Sequence, residues 1–381
     1  MPVYKVSEGI LDCVEQGRPS FSGIIFDCDG VLIDASRSYD LTVEVCTKAF
    51  AASLGAKLSD KDQLYRTLEL LRNLGTFNND WESVTVIVGF LFARTNPKRN
   101  DKKTPLKSRI RELESDYLRS GEKDDGGSFL LSLGLEELIR FLESCETGVS
   151  REEIIYALIP DREKRVSFYN FVSYPLPVGE GLLSTFFDEA MYGKKVFRET
   201  YGMECVTSSV SDPGNIENES VIVRSEALED LQKLCEKNLG IITGRPRVPT
   251  AHTLGQVFAD YFQRPDLCVF TGENLLNTEE VKPSPKPLLR VLEALQTRES
   301  SSVLYVGDSE EDLLMVVRAN QSRLPHDPRV MFAAIAPTKE RAEFFDQRGG
   351  ENVDCIVSDV NELPKALRGK MSWTESASKE G

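Results

Sequence analysis

Asp27 and Asp29 stand one residue apart at the end of the apolar run Gly23-Ile24-Ile25-Phe26, and Gly30 follows them. A carboxylate is already ionised at neutral pH. It can therefore attack phosphorus without a separate base, provided that a cation offsets its repulsion from the phosphate. A second carboxyl two residues on can protonate the leaving alkoxide and later take a proton from the attacking water. On this reading Asp27 is the nucleophile and Asp29 the general acid and base. Carboxylates this close repel, which keeps one of them protonated unless a metal offsets the charge. Taken alone, the same residues also describe an acidic turn at a strand end.

Three further stretches carry chemistry of a matching kind. Thr243-Gly244-Arg245-Pro246 follows Gly240-Ile241-Ile242; a hydroxyl and backbone N–H groups there can donate to phosphate oxygens, Gly244 permits close approach, and Arg245 adds charge. Lys282-Pro283-Ser284-Pro285-Lys286-Pro287 precedes a helical pattern. Proline suits a helix start, so Lys282 is held beside a helix N-terminus, where it can neutralise phosphate and nucleophile. Lys286 competes for that role but reads better as a solvated helix-start residue. Gly307-Asp308-Ser309-Glu310-Glu311-Asp312 follows Val303 to Val306. Hard oxygen ligands in a strand-end turn suit Mg²⁺, with Asp308 as a direct ligand and Asp312, one helical turn on, acting directly or through water. Glu310 and Glu311 are accounted for by a favourable helix dipole.

These residues need a scaffold that brings strand ends together. Short apolar runs at 240–243, 268–270, 302–306 and 330–335 alternate with helical patterns at 225–238, 249–259, 285–295, 312–318 and 338–346. That alternation predicts a parallel sheet with helices on both faces, and ligand chemistry beyond its carboxyl edge. Residues 354–357 are expected to add an edge strand. From about 36 to 205 the periodicity is helical throughout. Within it, 95–128 is rich in charge and glycine and is expected to be a flexible insertion around a short helix at 105–118. The loop Phe77-Asn78-Asn79-Asp80-Trp81 has a polar tip that can cap the next helix or reach a substrate. Residues 371–381 are small and polar, and are expected to be disordered.

Composition narrows the function further. Of 381 residues, 61 are acidic and 46 basic, a formal net charge of −15. This disfavours nucleic acid and anionic membranes as partners, and an anionic substrate then needs local positive charge. The eight cysteines show no pairing motif and the two histidines, His252 and His326, are far apart, so disulfide frameworks, histidine triads and zinc sites are not indicated. Residues 1–21 lack the apolar core of a signal peptide, and no run is long enough to cross a bilayer. A cytoplasmic location is expected.

Asp-x-Asp-Gly-Val, Thr-Gly-Arg, Lys-Pro and Gly-Asp-Ser-x-x-Asp, in this order and each after a predicted strand, resemble the haloacid dehalogenase superfamily. Its members have a Rossmann-like core and mostly act as Mg²⁺-dependent phosphatases through an aspartyl-phosphate. The resemblance covers about 20–36 and 220–360. It implies an α/β fold with a Rossmann-like parallel-sheet core (1–35 and 206–370) and a large all-helical cap (36–205) inserted after the first strand. By motif position it implies Asp27 as nucleophile, Asp29 as acid and base, Thr243, Gly244 and Lys282 as phosphate binders, and Asp27, Asp29 (through its carbonyl), Asp308 and Asp312 around Mg²⁺. Arg245, Asn78 and Asn79 are candidates for contact with the substrate. The cap is longer than is common in the family, so ordinary relatives do not supply the substrate, and it is expected to move as a lid hinged near 34–37 and 206–220. The expected activity is hydrolysis of a small phosphorylated metabolite. A phosphosugar mutase would use almost the same residues, and a catalytically silent protein using the cap as an interaction surface is an alternative of another class. Dehalogenation has no use for Asp29 or Asp308.

Overall fold

Ile24 to Phe26 and Val303 to Val306 have no exposed surface at all. Runs this continuous have no wet face, and they form the centre of a sheet buried on both sides. In the computed structural model, residues 3–7, 21–74, 77, 79–95, 104–121, 131–146, 148–274, 279–295, 302–323 and 328–368 are described. The chain divides into two units, 1–35 with 220–381, and 36–219.

The first unit contains a seven-stranded sheet. Its strands are β1 (Val3–Val6), β2 (Phe21–Phe26), β3 (Leu239–Thr243), β4 (Cys268–Phe270), β5 (Ser302–Gly307), β6 (Arg329–Ile335) and β7 (Cys355–Val357). Across the sheet they run β1-β7-β6-β5-β2-β3-β4. From β2 the chain steps outward to β3 and β4, then returns past β2 to β5 and steps outward the other way. The order reverses between β2 and β5, so the crevice at the carboxyl end of an open sheet falls between these two strands. Asp27 and Asp308 are the residues that leave them.

Residues of alternating strand positions fill the two faces. Ile25, Ile242, Val303, Tyr305, Val330 and Phe332 share one cluster with Leu288 and Val291, Leu313 and Val316, and Ala342 and Phe345. Those residues belong to the helices Lys286–Leu295, Glu310–Ser322 and Lys339–Gly349. Full burial of each large apolar side chain contributes about 1.5–3 kcal/mol. The sheet is parallel except for β1, which pairs antiparallel with β7. The 354–357 run is therefore not the edge. Val-Tyr-Lys-Val is too short to show a period, and what recruits it is the open row of hydrogen-bonding groups on β7. The helix expected at 225–238 ends at Gln232, and that expected at 249–259 splits at Gly255 into Arg247–Leu254 and Gln256–Tyr261.

The second unit contains eight helices among its described residues: Ser36–Ser53, Lys61–Asn73, Asp80–Arg94, Leu106–Gly121, Glu136–Glu143, Arg151–Leu158, Arg162–Val172 and Leu182–Tyr201. The helical pattern is interrupted by one short parallel pair, Ala56–Leu58 with Leu131–Leu133. Three residues per strand are too few for an alternation to be read. The short helix expected at 105–118 within the 95–128 stretch is Leu106–Gly121, and it is packed rather than solvated: Ile110 and Leu113 are buried and it lies against Ser36–Ser53. Residues 96–103, 122–130 and 371–381 lie outside the described residues. No helix among the described residues is long and apolar enough to cross a membrane.

Two buried carboxylates hold the returning segment inside this unit. Glu114 Oε1 accepts the N–H groups of Ser208, Ser209 and Val210 at 2.8, 2.7 and 3.2 Å. Glu189 accepts those of Val206 and Thr207, each at 2.8 Å. Residues 206–219 therefore belong to the helical unit, although a return to the core was expected at 206. The chain leaves the core after Ala35 and re-enters at Ser220, where Ile33–Asp34 pairs antiparallel with Ser220–Val221. A third buried acid, Asp188, accepts from Trp81 Nε1 at 3.1 Å and from Tyr201 Oη. Burial pushes its carboxyl up to about 7 against the pull of both donors.

Glu114→Ala removes the acceptor of three N–H groups and should lower stability by about 1–3 kcal/mol, read as a lower urea midpoint. Asp188 binds its proton more tightly folded than unfolded, so it contributes stability below about pH 4 that is lost as pH rises through about 7. Asp188→Asn should flatten the fall of Tm across that window.

Candidate active site

Because β2 and β5 are hydrogen-bonded neighbours, Phe26 lies opposite Val306 and the residues that follow emerge side by side. The Asp27 N–H donates to the Val306 carbonyl at 2.9 Å, continuing the ladder one residue past the strand. The chain then wraps around the Cys28 carbonyl, which accepts the N–H groups of Val31, Leu32 and Ile33 at 3.2, 2.8 and 2.9 Å. Gly30 takes φ +71° in this turn. A Cβ there would also meet Asp308 Oδ2 at 2.0 Å. Glycine is thus required twice over, by backbone conformation and by the approach of Asp308.

Lys282 joins the cluster. Its ammonium is 2.8 Å from Asp27 Oδ1 and 2.7 Å from Asp312 Oδ1. Asp312 is fully buried and has four donors: Lys282 Nζ and Tyr305 Oη on Oδ1, and the Ser309 N–H and hydroxyl on Oδ2. Ser309 and Asp312 form a reciprocal cap at the start of the helix Glu310–Ser322. Lys286 is exposed and pairs with Glu279, the solvated role expected of it.

Asp27, Asp308 and Asp312 each offer an oxygen, and these oxygens lie within 4.8 Å of one another. Burial, with the neighbouring carboxylates, pushes Asp27 up to about 7 against the pull of Lys282. Burial and the charges of Asp27 and Asp312 push Asp308 well up too. Lys282 is held well above its usual range by Asp27 and Asp312, despite its burial. A hard divalent cation fits this oxygen set, since its charge would favour the ionised carboxylates against both their burial and their mutual repulsion. Cys28 is no rival nucleophile, because burial pushes its thiol well up.

The Asp29 carboxylate lies outside this trio. Its Oδ1 accepts from Arg245 Nη1 at 2.7 Å. Thr243 is buried at the end of β3, its Oγ1 accepting the Arg245 N–H at 3.2 Å and its carbonyl accepting from Thr271 Oγ1 at 3.0 Å. A Cβ on Gly244 would meet nothing within 4 Å, whereas one on Gly272 would meet the Gly244 carbonyl at 2.4 Å. The glycine that the packing itself demands is therefore Gly272. Asn79 caps the helix Asp80–Arg94, its side chain accepting the Trp81 N–H at 2.9 Å. Asn78 lies outside the described residues.

Two residues of the site escaped sequence reading. Tyr305, the one hydroxyl in the run Val303 to Val306, bonds Asp312 and was legible as a polar group inside a fully buried strand. Arg341 donates to the Asp308 carbonyl at 2.7 Å and packs over Phe344 and Phe345. Nothing in its local sequence sets it apart from other helix-start arginines.

Residues 206–324 match the family described as haloacid dehalogenase-like hydrolase. A solved target of the Northeast Structural Genomics Consortium is 18% identical, covers 92% of this chain and 99% of its own, and superposes with a TM-score of 0.57. The phosphatase Tt82 from Thermococcus thioreducens is 21% identical over 91% of this chain and 99% of its own, with a TM-score of 0.48. Among curated proteins no significant match is found.

Gly30→Ala should displace the Asp308 carboxylate. The left-handed conformation costs a non-glycine residue about 1–2 kcal/mol, so the variant should fold, and the rise in Tm expected of the parent on adding a divalent cation should be mostly lost.

Proposed function

We propose that this chain is a haloacid dehalogenase-like hydrolase that cleaves phosphomonoesters of small metabolites, with Asp27 as nucleophile and Mg²⁺ as cofactor. The observation that carries this reading is the Lys282 ammonium bridging Asp27 and Asp312 at the reversal point of the sheet, with Asp308 in the same cluster. A nucleophilic carboxylate there faces a basic group and a cation-binding oxygen set, which is what attack on a phosphate dianion requires.

Asp27 Oδ1 is engaged by Lys282 Nζ and the Cys28 N–H, so Oδ2 is the oxygen that attacks phosphorus. The bond from phosphorus to the ester oxygen breaks, and the leaving oxygen takes a proton from Asp29. Water then attacks the phosphorus of the aspartyl-phosphate, the bond to Asp27 breaks, and Asp29 takes the proton of that water. Lys282 offsets the charge on Asp27 and on the entering phosphate. The Thr243 hydroxyl and the backbone beside Gly244 donate to the phosphate oxygens.

Asp27 and Asp308 would hold Mg²⁺, which when bound offsets the repulsion between the phosphate and these carboxylates. With four donors already on Asp312, its role is to hold Lys282 in place. This reading places the enzyme in a reducing, cytoplasmic compartment, motivated by eight cysteines without a pairing motif.

Release of phosphate from 4-nitrophenyl phosphate in the presence of Mg²⁺ tests the reading. Activity should vanish with a chelator and return with Mg²⁺, and Asp27→Asn should lower kcat on the order of 10³-fold or more. Turnover by Asp27→Asn at the parent's rate would overturn the mechanism.

A further inference from the structure

Arg245 follows the Thr243-Gly244 turn at the end of β3, and only 1% of its surface is exposed. A guanidinium so far from solvent must be paired. The partner of its Nη1 is Asp29 Oδ1 at 2.7 Å, part of an ion pair whose acid side chain remains 37% exposed. Asp29 belongs to the turn built around Cys28, and among the described residues its second oxygen, Oδ2, makes no hydrogen bond. One oxygen is therefore tethered from inside the protein and the other is open. Both strand ends carrying this pair, those of β2 and β3, are hydrogen-bonded neighbours.

We propose that Arg245 is a positioning residue that acts through Asp29, holding Oδ1 so that Oδ2 delivers and takes the proton. It does not itself recognise the substrate. The proposal rests on the phosphomonoesterase reading above. It requires that the effect of Arg245 on turnover follow the leaving group's need for a proton. With an alkyl phosphate, phosphorus–oxygen cleavage needs the Asp29 proton. With 4-nitrophenyl phosphate the phenolate leaves without it, and Asp29 is needed only as the base for the water that opens the aspartyl-phosphate.

Arg245→Met and Arg245→Lys are compared with the parent on glycerol 2-phosphate and 4-nitrophenyl phosphate, both with Mg²⁺. Arg245→Met should lower kcat for the alkyl ester on the order of 10²-fold with little change in KM. On the aryl ester it should give a burst of about one nitrophenolate per enzyme followed by slow turnover. Arg245→Lys should recover part of the loss. In an Asp29→Ala background either change at Arg245 should have no further effect.

A rise in KM for both esters with kcat retained, or losses that add to those of Asp29→Ala, would overturn the proposal and make Arg245 a substrate contact. If Arg245→Met does not fold, the cycle with Arg245→Lys decides by the same criterion. Failure here with Asp27→Asn inactive leaves the phosphomonoesterase reading standing, whereas an active Asp27→Asn removes the reading itself.

Discussion

Carboxylates gathered within 4.8 Å of one another repel, and the carboxyl edge of this sheet is arranged around that repulsion. Two unit charges about 4 Å apart interact by roughly 4 kcal/mol at the effective dielectric found near protein surfaces. One buried ammonium, that of Lys282, bridges two of the three acids. Arg341 reaches the carbonyl of the third, Tyr305 shares Asp312 Oδ1 with Lys282, and Ser309 occupies Asp312 Oδ2. Even so, Asp27 and Asp308 remain well above the usual carboxylate range. Burial is the larger cause and the neighbouring carboxylates add to it, and a divalent cation held by these oxygens would offset both.

Topology determines who shares this edge. Because the strand order reverses between β2 and β5, Asp27 and Asp308 meet although they are far apart in sequence, and β3 on the other side of β2 brings Thr243 and Arg245. The helical unit is inserted directly after the first of these turns, and its two connections form a single ribbon at Ile33–Asp34 and Ser220–Val221. Glu114 and Glu189 bind the 206–210 backbone to the helical unit itself.

The central strands were legible because burial on both faces leaves uninterrupted apolar runs, and each site residue there follows such a run directly. Asp27, Thr243 and Asp308 each follow such a run, and together, in their order along the chain, they could be picked out, with Lys282 marked by the prolines that fix the start of its helix. What escaped depends on contacts that local pattern does not encode. Val3–Val6 is recruited by an open strand edge, and Ala56–Leu58 meets Leu131–Leu133 across a long interval of chain. The short helix at 105–118 was expected, but the charge around it suggested that it was solvated, whereas Ile110 and Leu113 lie on a buried face and Glu114 is bound to backbone. Arg341 carries no sequence mark because its partner is a backbone carbonyl.

The pairing of Asp29 bears on how two carboxylates one residue apart can do different work. If both faced the same cation they would compete for it, and one would remain protonated at the expense of the other. Here each has its own: Lys282, from the turn before the helix Lys286–Leu295, on Asp27, and Arg245, from the end of β3, on Asp29. The ammonium is shared with Asp312 and lies within the acidic trio, so the charge on Asp27 is coupled to whatever occupies that cluster. The guanidinium engages a single oxygen of Asp29 outside the trio. Asp29 is thus set apart from the clustered oxygens of the trio by a partner of its own, and two residues alike in sequence come to differ through the cations that face them.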